Sequence, residues 1–411
     1  MDRAAGETDT LSLEAPCGRL LGLRTGDILA FKGIPYGMPP VGPLRWRMPE
    51  PVEPWAGVRD ATQFGPICPQ APTQIEALLG GNLGEQSEDC LNLNVWTPGC
   101  DDAKRPVMVW IHGGAFIIGA GSQGIYNGRH LATRDCVVVT INYRLGAFGF
   151  LNLADATEGR LPGTGVEGIA DQILALHWVK QNIAAFGGDP DNITIFGESA
   201  GGMSVAALLS SPAAQGLFHK AIAQSGAAHI GHAREHSAAV ARAFVAELGA
   251  TDAEASAVAE LSYGRLVSAQ IALLAEARDG SDSRKLGRVA FQPTIDGTVL
   301  AGRPIDAIRF GAARGIPLLA GTTKDEWRLF SAASPSVRLM SRSAFEQRVR
   351  KLAGDDADAM LAAYSEGTTF DRFNAMMTDR VFTVPAIRML EAQDAFAPAY
   401  AYRFDWRSRL L

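Results

Sequence analysis

Residues 192–202 read Asn192-Ile193-Thr194-Ile195-Phe196-Gly197-Glu198-Ser199-Ala200-Gly201-Gly202. The β-branched and aromatic run Ile193 to Phe196 predicts a buried strand, and the alanine-rich stretch that begins at Ala200 predicts a helix. Ser199 stands at the joint. On so sharp a turn, a side chain two positions to either side of the serine would collide with the turn itself, so sterics requires Gly197 and Gly201, and the Ser199 hydroxyl is thrust outward. Taken alone, a Gly-x-Ser-x-Gly pentapeptide is more often an ordinary glycine-rich turn. The strand before it and the helix after it reverse that weighting.

Upstream, the apolar run Val107 to Ile111 leads straight into His112-Gly113-Gly114-Ala115-Phe116. When a serine attacks an ester carbonyl the oxygen gains a full charge, and each preorganised backbone N–H in a dry site stabilises it by about 3 to 4 kcal/mol. The small residues Gly113, Gly114 and Ala115 let a backbone approach that oxygen closely. The amides of Gly114 and Ala115, with that of Ala200, are the expected donors. His112, at the strand end beneath this loop, reads as a core histidine satisfied by backbone and not as a base.

Working outward, apolar runs alternate with helical stretches, the pattern of an α/β protein with a mostly parallel sheet covered by helices. The clearest strands are expected at Pro106–His112, Cys136–Tyr143, Asn192–Gly197, Lys220–Ser225, Ile316–Thr322 and Ala399–Trp406. Helical spacing from Leu174 to Phe186 is stopped by Gly187, Gly188 and Pro190. Thr251 with Glu254, and Ser343 with Glu346, read as capping boxes of further helices. Residues 1–411 are expected to form one domain, with helical cap insertions at about 228–283 and 331–390 over the active edge of the sheet.

The 411 residues carry a net charge of -6, with scattered basic residues, which argues against nucleic acid or an anionic membrane as partner. No apolar run of about eighteen residues suggests a membrane span. Residues 1–11 lack the apolar core of a secretory signal, so a cytoplasmic location is expected, with the five cysteines mostly free thiols. The pattern calls for no metal and no cofactor.

Three further motifs carry a resemblance: Phe31-Lys32-Gly33-Ile34-Pro35-Tyr36, Glu88-Asp89-Cys90-Leu91-Asn92-Leu93-Asn94-Val95, and Phe186-Gly187-Gly188-Asp189-Pro190 running into the serine turn. With them, the chain resembles the type B carboxylesterases along essentially its whole length. The resemblance implies an α/β-hydrolase fold and hydrolysis of small-molecule esters through a serine acyl-enzyme on Ser199. Read without it, Lys324-Asp325-Glu326 is equally well a solvated helix start; the resemblance implies that Glu326 is the acid of the triad. It also implies supporting roles for Glu198 and Ser225, an Arg45–Glu88 pair, and a Cys68–Cys90 disulfide. That disulfide would close a loop of about twenty residues and stabilise by about 3 kcal/mol if oxidised. Proximity of the two sulfurs is the firmer expectation.

In this fold the base follows the acid in sequence. No histidine occurs after His236, and Phe404-Asp405-Trp406 resembles the strand just ahead of the histidine loop. His219, His229, His232 and His236 all precede Glu326, and none is expected to substitute. The 411 residues are therefore expected to be C-terminally truncated relative to the family, with uncovered apolar sheet surface and nearly no activity alone; loss of one triad member costs up to about a millionfold. A non-catalytic binding protein on the same fold is the competing reading. A serine peptidase or thioesterase ranks last, because it would not share the signature from Glu88 to Val95.

Overall fold

The computed structural model describes residues 8–72, 84–279, 290–332 and 334–406. The end of the first expected cap insertion, residues 280–283, lies outside them. The described strands are β1 (Thr8–Ala15), β2 (Gly18–Thr25), β3 (Ile28–Pro35), β4 (Val58–Asp60), β5 (Asn92–Thr97), β6 (Arg105–Ile111), β7 (Val137–Ile141), β8 (Gly188–Glu198), β9 (Lys220–Gln224), β10 (Leu318–Thr323) and β11 (Ala399–Phe404). They form one sheet in the order β1-β2-β3-β5-β7-β6-β8-β9-β10-β11, with β4 beside β2.

From β1 through β5 to β7 the neighbours pair antiparallel. From β7 through β6, β8, β9 and β10 to β11 they are parallel. The parallel strands are made where β-branched residues run together: every residue of Val137–Ile141 is buried, as are Val107, Val109, Ile111, Ile193 and Ile195. A strand covered on both faces needs such a run, because neither face meets water.

Helices join and flank these strands. Glu167–Asn182 tightens into a 3-10 turn at Ile183–Phe186, and Gly187 then reverses the chain at φ 76° in the left-handed region, as its place in the sequence predicts. Beneath this helix Arg144 and Asp171 form a fully buried ion pair, with two guanidinium bonds of 2.8 and 2.7 Å; a third arm reaches the Arg47 carbonyl. Ala200–Ser210 is buried along almost its whole length, because small residues let it lie close against β8 and β9.

The capping box of Thr251 and Glu254 is formed, on the 3-10 segment Asp252–Glu260. That of Ser343 and Glu346 is not. Ser341 caps the helix Arg342–Ala353 by accepting from Ala344 N, and Glu346 instead pairs with Arg342 one turn earlier. Around this helix Phe345, Val349, Phe373, Met376 and Met377 build a small core separate from that of the sheet.

Strand β11 closes the described sheet two residues sooner than expected, and it leaves Tyr400, Phe404 and Trp406 exposed. Among the described residues no helix is long and apolar enough to cross a membrane.

Candidate active site

Strand β8 delivers Ser199 into a backbone conformation of φ 56°, ψ −119°, which residues with a side chain rarely adopt and which costs on the order of 1–3 kcal/mol. Its neighbours hold it there: Ser199 N donates to the Gln224 carbonyl at 2.8 Å, and Met203 N donates to the Ser199 carbonyl at 2.9 Å. A Cβ on Gly197 would lie 2.5 Å from the Gly201 carbonyl carbon, and one on Gly201 would sit on the Ile111 carbonyl oxygen. The steric need read from the sequence is met by backbone atoms that cannot move aside.

The loop after β6 faces this turn. A Cβ placed on Gly113 would be 3.2 Å from Ser199 Cβ and 2.7 Å from Glu198 Oε2, so glycine is what permits the approach. Gly114, Ala115 and Phe116 all take positive φ, and the Gly114 carbonyl accepts from Ile117 and Ile118, which tightens the loop. Among the described residues the amides of Gly114, Ala115 and Ala200 donate to no protein acceptor. Unpaired backbone donors beside a strained serine are groups that an incoming oxygen can satisfy.

His112 serves the loop and not the serine. Its Nδ1 donates to the Gly113 carbonyl at 2.8 Å, and its ring stacks on Tyr143 at 4.5 Å. Burial lowers its pKa to about 4, against the raising effect of the Gly113 carbonyl, so it is neutral.

Three residues past β10, Glu326 Oε1 accepts from Ser225 Oγ at 2.6 Å and from Thr323 N at 2.7 Å. Ser225 follows β9 at φ 50° and donates its own N–H to the Gly321 carbonyl of β10, so adjacent strands fix the pair. Glu198 lies mostly buried beside them. Burial, and then the charge of Glu326, push its carboxyl up to about 7. Tyr126, whose hydroxyl is pushed up to about 12 by burial and then by Glu198, packs at a tilt against Trp110.

Tyr402 was not singled out from the sequence. It pairs in register with Gly321, and its ring lies over that glycine; its hydroxyl is shifted upward by burial and then by the charges of Glu326 and Glu198. The available signal was Gly321 itself, since glycine inside a buried strand marks close approach by another group.

Arg45 and Glu88 form the expected pair through two hydrogen bonds, and Arg45 Nη1 also donates to the carbonyls of Ala259 and Leu261. The segment ending at Leu261 is thereby tied to the Arg45–Glu88 pair. Cys68 and Cys90 are buried free thiols side by side; the Cys68 hydrogen bond, and then burial, push the Cys90 thiol up.

Three of the other histidines have ring contacts of their own. His219 accepts from Ile193 N, toward the start of the strand pair whose far end carries Ser199. His232 packs against His236 with ring centroids 4.5 Å apart. Ser199 Oγ and Glu326 Oε2 have no hydrogen-bond partner among the described residues.

A mostly parallel sheet that presents a serine on a strand-to-helix turn, with flanking helices, defines the α/β-hydrolase fold. Solved structures agree. A carboxylesterase of Geobacillus stearothermophilus superposes with a TM-score of 0.87 at 40% identity, covering 97% of this chain and 81% of that one. A para-nitrobenzyl esterase structure gives a TM-score of 0.83 at 42% identity, over 97% and 80%.

The chain belongs to the carboxylesterase family, whose model matches residues 9–410, and it is by family a serine esterase. The para-nitrobenzyl esterase of Bacillus subtilis (strain 168) is 43% identical over 95% of this chain and 78% of its own length. The phenmedipham hydrolase of Pseudarthrobacter oxydans is 36% identical over 94% and 76%.

Proposed function

We propose that this is a carboxylic ester hydrolase of small molecules acting through an acyl-enzyme on Ser199, with Glu326 as the acid of the triad, and that the 411 residues alone, with no histidine after Glu326, turn esters over only slowly. In the first step a base takes the Ser199 hydroxyl proton, later given to the leaving alcohol, as Oγ bonds to the ester carbonyl carbon and the carbonyl oxygen takes the charge. The Gly114, Ala115 and Ala200 amides receive it, and Gly113 supplies the room. The C–O bond to the alcohol then breaks, the alcohol leaving with a proton, and water repeats the sequence on the acyl group. The base must stand between Ser199 Oγ and Glu326 Oε2. Glu198 and Ser225 support the acid. Of the expected cap insertions at about 228–283 and 331–390, the described helices form the cap of a single domain.

The observation that carries this reading is the strained Ser199 turn packed against Gly113. The test is hydrolysis of para-nitrophenyl acetate by the chain and by Ser199→Ala, with intact-mass detection of an acetyl group on Ser199. Slow release of para-nitrophenol with acetylation of Ser199 in the parent, at the residual rate that an oxyanion hole without a base sustains, and neither in the variant, is the expected result. No acetylation of the parent would favour the non-catalytic binding protein. Release that persists in Ser199→Ala would place the chemistry elsewhere.

A further inference from the structure

We propose that Gln70 is a positioning residue for the oxyanion loop: it clamps Gly119 by both backbone groups and so fixes the aim of the amides at 113–115. The Gln70 side chain is 2% exposed. Gly119 N donates to its Oε1 at 2.6 Å, and its Nε2 donates to the Gly119 carbonyl at 3.0 Å. The other Nε2 hydrogen goes to the Cys68 carbonyl at 2.9 Å, and Gln70 N is held by Gln86 Oε1 at 3.0 Å. The carboxamide thus mimics a strand neighbour for one residue of a loop that has none.

Gly119 is where such a clamp matters. At φ 110° it folds back so closely that a Cβ would lie 2.5 Å from His112 Nδ1 and 2.6 Å from the Gly113 carbonyl oxygen. The exit of the loop therefore bears on its entrance, and fixing Gly119 fixes Gly113. Two residues on, Gly121 N donates to Asn142 Oδ1 and the Gly121 carbonyl accepts from Thr140 Oγ1, each at 2.8 Å. Gln70 is a side-chain hold between these anchors and the end of β6, beside the His112 bond to the Gly113 carbonyl. Without it Gly119 would keep a buried donor and acceptor unpaired, and the loop would move to satisfy them.

This inference rests on the esterase reading for its catalytic part, so the experiment has two arms. In Gln70→Leu, hydrogen exchange of the bonded Ile117, Ile118 and Gly119 amides is expected to quicken at least about tenfold while residues 197–203 hold their protection. Unchanged exchange of Ile117 and Ile118 would overturn the clamp, whatever the activity. In the second arm, kcat for para-nitrophenyl acetate is expected to fall about 10- to 100-fold with KM nearly constant, short of the loss of a whole oxyanion donor. Quickened exchange with unchanged kcat, or a change confined to KM, would overturn the positioning role.

Gln70→Glu is the conservative variant and also serves if Gln70→Leu does not fold. Its protonated carboxyl can accept from Gly119 N and donate to the Gly119 carbonyl; the ionised form cannot donate. Its rate relative to the parent should therefore be higher at about pH 5 than at about pH 8. A pH-independent ratio would count against the clamp. Absence of turnover in the parent would sink the esterase reading, and the exchange arm would still decide whether Gln70 holds the loop.

Discussion

Replacing Glu198 with glutamine should make the protein more stable at alkaline pH and change little in acid. The carboxyl rises from its ordinary 4.5 to about 7, first because it is buried and then because Glu326 stands near. Between those two values the folded protein holds a proton that the unfolded chain releases, so stability falls as pH rises through the window. Each pKa unit corresponds to about 1.4 kcal/mol, so the loss above about pH 7 totals about 3 kcal/mol relative to acid. Glutamine has no such titration. Urea unfolding of parent and Glu198→Gln at about pH 4.5 and about pH 8 reads the difference, and any pH-independent effect of the amide cancels. The gap between the variants should widen by about 3 kcal/mol toward alkaline pH, and it should widen less in a Glu326→Gln background, which removes the second cause. An equal gap at the two pH values would refute the reasoning.

Ser225→Ala should lower kcat about tenfold with little change in KM, because a hydrogen bond to a charged group contributes about 1.5–3 kcal/mol and Glu326 retains the one from Thr323; steady-state kinetics checks it. Asp171→Asn leaves the buried Arg144 guanidinium without its charge partner and should cost about 3–5 kcal/mol, read as a lower urea midpoint. Gly201→Ala drives a methyl group into the Ile111 carbonyl and should destabilise by more than about 3 kcal/mol, visible as loss of soluble protein or a thermal midpoint many degrees lower.

The parallel half of the sheet was legible because its strands are buried on both faces and so spell continuous β-branched runs; β7 is Val-Val-Val-Thr-Ile. Boundaries moved by one or two residues at Pro106 and Ile316, and by four at the start of β8, which begins at Gly188 and not at Asn192. The N-terminal strands β1 to β4 went unread. β1 to β3 are antiparallel and partly exposed, with glycine inside β2 and β3, and β4 is three exposed residues parallel to β2, so no continuous apolar run marks them. Ser341 and Ser343 both offer a hydroxyl at a helix start, and the choice between them was made by the Arg342 partner of Glu346, one turn away.

At the site, the serine turn and glycine loop are local and declare themselves. Glu326 sat in an ambiguous charge run, because its meaning comes from Ser225, 101 residues distant. The clamp of Gln70 on Gly119 spans 49 residues, and no local pattern encodes such a reach.

Gly113, Ser199, Ser225 and Glu326 each follow the carboxyl end of a different strand, and those strands, β6, β8, β9 and β10, are consecutive neighbours. The lateral repeat of a sheet, about 4.8 Å, therefore acts as a ruler that sets their spacing. Segments inserted between the strands can lengthen, shorten or change composition without moving the marks on that ruler. Evolution can reshape the mouth that selects the ester while the reacting groups keep their distances.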